Sequence, residues 1–271
     1  MREHRSLQGI SAICLAMLLQ LAPASQLLAG DNTIKEIESD VDHYRKCEIH
    51  GFIVYVNSAM DALGQRQHTE IINNLAQNID LSMSVIPAKK QAEVRKTVIW
   101  VDWDIPSKFQ KSVHNPTGGA AAFYSSRNTS IPRTYGAKRV GITISAECCL
   151  HGEAAEYMSK WYKHWLLHEF AHAYHDSSRG LDDSHVIAVY NAAMDKRLFQ
   201  GKYAGNDVCE YFAELSVIYL TKVPTYPFDR ADLKKYDERG FRLMAEMWGG
   251  DLERRDAANL LPMFRGHCCL K

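Results

Sequence analysis

Apolar positions change their spacing halfway along this chain. In the first half they come in short dense runs: IHGFIVYVN over 49–57, VIWVD over 98–102 and VGITIS over 140–145. Runs of this length, rich in β-branched and aromatic side chains, predict strands, and the nearly all-apolar 98–102 run predicts a central one. Between the first two runs Met60, Leu63, Ile71, Ile72, Leu75 and Ile79 partly follow helical spacing, so a helix is expected within 59–79 and a further one over 88–96. Residues 31–48 are polar with sparse apolar positions and predict a lead-in segment or a short helix. From Ile105 to Arg139 the pattern dissolves into prolines, glycines and small residues around NPTGG at 115–119. A loop of that length inside a domain is usually functional or poorly ordered.

The second half is helical in pattern. One helix is expected from Asp183 to Phe199, ending near Gly201, and another from Asp207 to Thr221, ended by Pro224. Asp229 to Trp248 reads as one or two helices with a break near 237–240, and Met244, Met247 and Trp248 follow a core-facing stripe. Strands first and helices after predict an α+β fold.

The N-terminus changes the domain picture. Arg2 and Arg5 precede an apolar run from Ile10 to Ala22, with Ala22-Pro23-Ala24 or Leu27-Leu28-Ala29 after it. That is the form of a secretory signal peptide over 1–29, which leaves one domain over 30–271. An uncleaved anchor is the alternative, although the run is short for a membrane span. The expected product is secreted, extracellular or periplasmic, with no membrane attachment once the signal is removed, and is read as a monomer. Six cysteines then remain of the seven, an even number consistent with disulfides; 15 pairings are open, the adjacent pairs 148/149 and 268/269 suggest a tail stapled near the start of the active-site region, and a cysteine zinc site, without its usual C-x-x-C spacing, is the rival reading. Asn128-Thr129-Ser130 is a glycosylation sequon in a eukaryotic host. Formal net charge is zero without a basic cluster, which gives no support to nucleic acid as a partner.

Candidate chemistry concentrates between the two halves, in WYKHWLLHEFAHAYHD over 161–176. No proline or glycine interrupts it, and Trp161, Trp165, Leu166, Phe170 and Ala173 give it an apolar side. His168 and His172 lie one helical turn apart and can ligate one Zn2+, while Glu169 is offset by one residue, as suits a general base acting on a water held by the metal. The alternative is a helix with two incidental histidines. His175 turns away from the His168 face and reads as a histidine outside the ligand set.

A zinc hydrolase needs a third protein ligand. Glu210 and Glu214, four residues apart on the next helix but one, share a face, so one carboxylate can reach the metal and the other can accept from the ring N–H of a ligating histidine. Competing readings are open: Asp207 and Glu210 have capping-box spacing, and Glu214 is equally a solvated helix carboxylate. Burial of this helix through Phe212, Leu215 and 217–220 favours the metal reading.

The order HEFAHAYHD, Tyr203, then EYFAE resembles the catalytic domain of the anthrax toxin lethal factor family and, more closely, secreted bacterial metallopeptidases of the gluzincin group. The resemblance covers about residues 140–220 and implies a zincin-like fold: a mixed N-terminal sheet with helices, a helical C-terminal half, and the active site at their junction. It implies zinc ligation by His168, His172 and Glu210, a general-base role for Glu169, oxyanion donation by Tyr203, and a supporting role for Glu214. Without it Tyr203 is as well read as a turn tyrosine beside Gly201 and Gly205. The implied activity is zinc-dependent hydrolysis of a peptide or protein substrate. The alternatives are a secreted zinc-binding effector lacking peptidase activity and a non-peptide amidase. The strand at 140–145 has two readings, an edge offered to extended substrate or an inner strand of the sheet.

Overall fold

The computed structural model describes residues 34–102, 122–126, 140–149 and 164–249. The expected signal peptide, the sequon, the 115–119 loop centre, His114, His151 and the Cys268-Cys269 tail lie outside the described residues.

Six strands form one sheet: β1 Ile34–Ile37, β2 Tyr44–Ile49, β3 Phe52–Asn57, β4 Ile99–Asp102, β5 Ala122–Ser125 and β6 Gly141–Ser145, in the order β1-β2-β3-β4-β6-β5. β1 to β3 are antiparallel neighbours, β4 is parallel to both β3 and β6, and β5 runs antiparallel on β6. The sheet is therefore mixed, and the 98–102 run is central as its composition predicts.

In the sheet half three expectations are corrected. Residues 31–48 hold no helix among those described but contribute β1 and β2. In β2 only Tyr44, Cys47 and Ile49 are buried and the remaining positions face outward, so a half-exposed strand reads as polar. The 49–57 run is not one strand: the Ile49–Phe52 pair closes a two-residue loop in which His50 and Gly51 have φ of 49° and 82°. Two left-handed residues match the twist of a tight hairpin and reverse the chain there. The 105–139 stretch contains β5, which makes 140–145 an inner strand and β5 the last on that side among the described strands.

Helix α1 (Gln65–Val85) follows a 3-10 turn at Ser58–Ala62, and with α2 (Ala88–Val94) it provides the crossover that parallel β3 and β4 require. Ile71, Ile72, Leu75, Ile79 and Met83 are the buried face of α1. The opposite sheet face carries a small aromatic cluster in which Tyr55 stacks on Trp100 at 4.3 Å.

The helical half comprises α3 (Trp165–Ser178), α4 (Ser184–Asp195), α5 (Val208–Leu220), α6 (Arg230–Tyr236) and α7 (Glu238–Trp248). Asp183, Asp207, Asp229 and Asp237 cap α4 to α7, each accepting backbone N–H bonds through its carboxylate. The break between α6 and α7 falls at Asp237. Helix α4 stops short of its expected end because Arg197 and Phe199 adopt φ of 58°. The chain then passes through a 3-10 turn at Tyr203–Gly205, and a side chain at Gly205 would meet the Phe199 carbonyl. Met244, Met247 and Trp248 are core, as their spacing predicts. The whole is α+β, a mixed sheet followed by a helical half.

Among the described residues Cys47 and Cys209 form no disulfide, so the fully paired framework does not hold at these two positions. Burial pushes the thiols of Cys47 and Cys209 up to about 11, which leaves them as inert small hydrophobes. No helix among the described residues is long and apolar enough to cross a membrane.

Candidate metal and catalytic centre

Helix α3 is buried from Trp165 through His175, on every side. A helix that passes through a core can carry polar groups only where partners meet them. Helix α5 supplies those partners: it packs along α3, with Phe212 stacked on His175 at 4.3 Å, and Asp207 caps it so that Glu210 sits in its first turn. The capping-box alternative for Glu210 is not realised, because its side chain leaves the helix end and reaches α3.

The donor atoms of His168, His172 and Glu210 all lie within 4.8 Å of one another. Nε2 of His168 is 2.9 Å from Oε2 of Glu210 and 3.0 Å from Nε2 of His172, and that last nitrogen is 3.4 Å from the same carboxylate oxygen. Zinc–donor bonds of about 2.0–2.1 Å at tetrahedral angles place neighbouring donors about 3.3–3.4 Å apart, so three atoms of the right chemistry already stand at nearly the edges of such a site. The two imidazoles present their edges to each other at 83° rather than stacking. These residues fit a zinc ion.

Glu214 lies behind His168, its Oε1 2.9 Å from Nδ1, an ion-pair separation rather than an in-line hydrogen bond. Burial works against a charged His168, but Glu210 and Glu214 on its two ring nitrogens outweigh it and raise its pKa well above the ordinary value. Burial likewise opposes ionisation of Glu210, yet bonds from both histidines hold its carboxyl far below the usual range. Glu169 is raised, chiefly by burial. Its Oε2 is buried and has no hydrogen-bond partner among the described residues. Tyr203, 37% exposed, donates its hydroxyl to Oε1 of Glu210 at 3.2 Å, and its ring lies 5.8 Å from that of His168. The structure thus brings His168, Glu169, His172, Tyr203, Glu210 and Glu214 together.

His175 stands apart from this group. Its two ring nitrogens have no hydrogen-bond partner among the described residues, and burial pushes its pKa down to about 4. His50 and His185 lie beside Asp80 and Glu246, and His164 is the residue before α3. Sequence reasoning missed Tyr124, whose strand is four residues long inside a stretch rich in small residues and whose hydroxyl donates to Oδ2 of Asp176 on α3 at 2.7 Å. A surface cavity of about 460 Å³ adjoins Tyr203 and is lined by Met194, Arg197, Phe199, Lys202 and Asn206 among others.

No protein-family model matches the chain, and no curated protein matches it. Among solved structures it is similar to the Pro-Pro endopeptidase PPEP-2 from Paenibacillus alvei, with a TM-score of 0.42 and 16% identity over 72% of this chain and 96% of that chain. A likeness of that degree carries no weight for function, which rests on the geometry of the site.

Proposed function

We propose that the protein is an exported zinc-dependent metallopeptidase of gluzincin type. The observation that carries this reading is the convergence of His168 Nε2, His172 Nε2 and Glu210 Oε2, with Glu169 on the same buried helix as the two histidines. His168, His172 and Glu210 would hold the ion. Zinc in such a site supplies Lewis acidity, lowering the pKa of water towards neutrality and polarising the scissile carbonyl.

The chain's own groups do the rest. Glu169 takes a proton from the attacking water and returns it to the leaving amine nitrogen. Its burial raises its affinity for that proton, and its buried Oε2 has no hydrogen-bond partner among the described residues. Tyr203, half exposed beside Glu210, turns its hydroxyl to the oxyanion that develops on the substrate carbonyl, a donation worth about 10²–10³ in rate elsewhere. Glu214 holds His168 with Nε2 facing the ligand atoms. Export rests on the 1–29 pattern and is tested by whether that segment is absent from protein recovered outside the cytoplasm.

The deciding experiment pairs wild type with Glu169→Gln. The variant is expected to keep one zinc per chain and to lose cleavage of a broad peptide library. Equal inertness of both proteins, each loaded with zinc, would instead support the effector reading.

A further inference from the structure

Tyr203 reaches the metal centre differently from its partners. His168, Glu169 and His172 ride a buried helix, whereas Tyr203 rides the loop between α4 and α5, with its hydroxyl 3.2 Å from Oε1 of Glu210. In that loop Phe199 and Gly201 are left-handed, with φ of 58° and 72°. Its backbone bonds are those of turns: the N–H of Lys202 donates to the Phe199 carbonyl and that of Gly205 to the Lys202 carbonyl, each at 2.9 Å, and that of Asn206 to the Tyr203 carbonyl at 3.0 Å. The same residues line the cavity of about 460 Å³, so the loop's position depends on the side chains that grip it.

Three such contacts surround Tyr203. Ahead of it, the Phe199 N–H donates at 3.0 Å to the hydroxyl oxygen of Tyr236, the last residue of α6, and the two rings meet edge-on at 5.0 Å. Next to it, the Lys202 ammonium stands 5.0 Å from the centre of the same Tyr236 ring and donates to the Tyr226 carbonyl. Behind it, the Tyr190 hydroxyl on α4 donates to the Gly205 carbonyl at 3.2 Å. Tyr236 makes two of these contacts, and its own place is fixed. The next residue, Asp237, is buried, caps α7 and accepts the hydroxyl of Tyr211, which follows Glu210 on α5. A continuous set of bonds therefore runs from the ligand-bearing helix through Asp237 and Tyr236 to the loop that carries Tyr203.

A hydroxyl that serves a developing oxyanion has to stand where that charge forms, and a displacement of about 1 Å can cost about 10²-fold in rate. We infer that Tyr236 is a positioning residue: through its hydroxyl on the Phe199 N–H and its ring against the Lys202 ammonium, it holds the loop that presents Tyr203 to the metal centre. This role rests on the reading of Tyr203 as the oxyanion donor, whereas the grip itself does not depend on activity.

The test uses the full zinc-loaded protein with Tyr236→Phe, Tyr236→Leu, Tyr203→Phe and the double variant Tyr203→Phe/Tyr236→Leu. Tyr236→Phe keeps the ring and removes the acceptor, and Tyr236→Leu removes both. Amide hydrogen exchange at residue 199 should speed up about tenfold in Tyr236→Phe, and in Tyr236→Leu the acceleration should extend to residues 205 and 206, with the core of α5 unchanged. On a peptide the wild type cleaves, kcat should fall about 2- to 10-fold in Tyr236→Phe and about 10- to 100-fold in Tyr236→Leu, with KM within about twofold. In the Tyr203→Phe background Tyr236→Leu should cost less than about threefold more, because the group it positions is already gone. Unchanged exchange at residue 199 in Tyr236→Phe, or at 205 and 206 in Tyr236→Leu, overturns the inference, as does a loss carried by KM or one of full size in the double variant. If Tyr236→Leu does not fold, Tyr236→Phe carries the same tests at residue 199, in kcat and in the Tyr203→Phe background. If Tyr203→Phe cleaves as fast as wild type, or wild type cleaves nothing, the reading of Tyr203 or of the peptidase falls on that result, while exchange at 199, 205 and 206 still decides whether Tyr236 holds the loop.

Discussion

Removing the charge of Glu214 without changing its shape tests how the site is held. In Glu214→Gln the side chain still reaches His168 but no longer presents a carboxylate to Nδ1, 2.9 Å away. Coulomb's law at that separation gives about 1.4 kcal/mol with water-like screening and about 2.9 kcal/mol with half of it. The Glu214 side chain is 24% exposed and that of His168 is 7% exposed, so intermediate screening applies. Zinc affinity should accordingly fall about 10- to 100-fold, the range found when such supporting carboxylates are removed elsewhere. Glu210→Ala removes a ligand atom instead. Dividing a typical binding free energy of about 10–16 kcal/mol over four ligands assigns about 2.5–4 kcal/mol to each, a factor of about 70 to 900. The assay is zinc affinity by competition with a chromophoric chelator, with circular dichroism confirming that each variant is folded. The reasoning is refuted if Glu214→Gln binds zinc within threefold of wild type, or if it binds more weakly than Glu210→Ala.

Stripping zinc from the wild type should lower Tm by about 5–10 °C relative to protein held at 100 times its Kd, since that occupancy adds about 2.7 kcal/mol; calorimetry with and without chelator measures it. Zinc uptake should release about one proton at neutral pH, because a cation arriving at Nε2 displaces the proton that Glu210 and Glu214 keep on His168; calorimetric titration in buffers of different ionisation enthalpy reads the number. His175 is depressed from 6.5 to about 4, so its contribution to stability is complete above pH 6.5 and is lost as pH falls through 4. Over that window wild type should lose about 3 kcal/mol more than His175→Phe in urea denaturation, and identical slopes would dismiss the effect.

How much of this was legible in the sequence depends on where each element gets its stability. β4 and β6 could be read because they are buried on both faces and their runs are almost wholly apolar. β1 and β2 could not, since most of their side chains face outward and only pairing with β3 makes them strands. The end of α4 was invisible for another reason. Arg197 and Phe199 are ordinary helix or core residues by pattern, and their left-handed conformation is imposed by the turn that delivers Tyr203. At the site, His168, Glu169 and His172 were legible from one helical turn, and Glu210 with Glu214 from another. The Tyr124–Asp176 bond joins residues 52 apart and left no periodic trace. At Cys47 the expected disulfide is absent, and burial in the core accounts for the residue instead.

The arrangement of charge separates a metal centre from a helix with two incidental histidines. Surface histidines need nothing from their neighbours, but His168, Glu169 and His172 are each less than a tenth exposed. Around them stand Glu210 and Glu214, both directed at the same imidazole from opposite sides. A structural ion pair would need one carboxylate for one protonated ring, and the second would be an unbalanced charge on a buried helix. One proton on His168 leaves the pair of carboxylates over-supplied. A divalent cation in place of that proton balances both, returns His168 to the neutral form a ligand requires, and leaves Nδ1–H to Glu214. Excess negative charge around two converging imidazole nitrogens is thus costly as internal packing and consistent as a cation site. That is why Glu214, although not one of the three converging ligands, is the residue on which the reading can be tested most sharply.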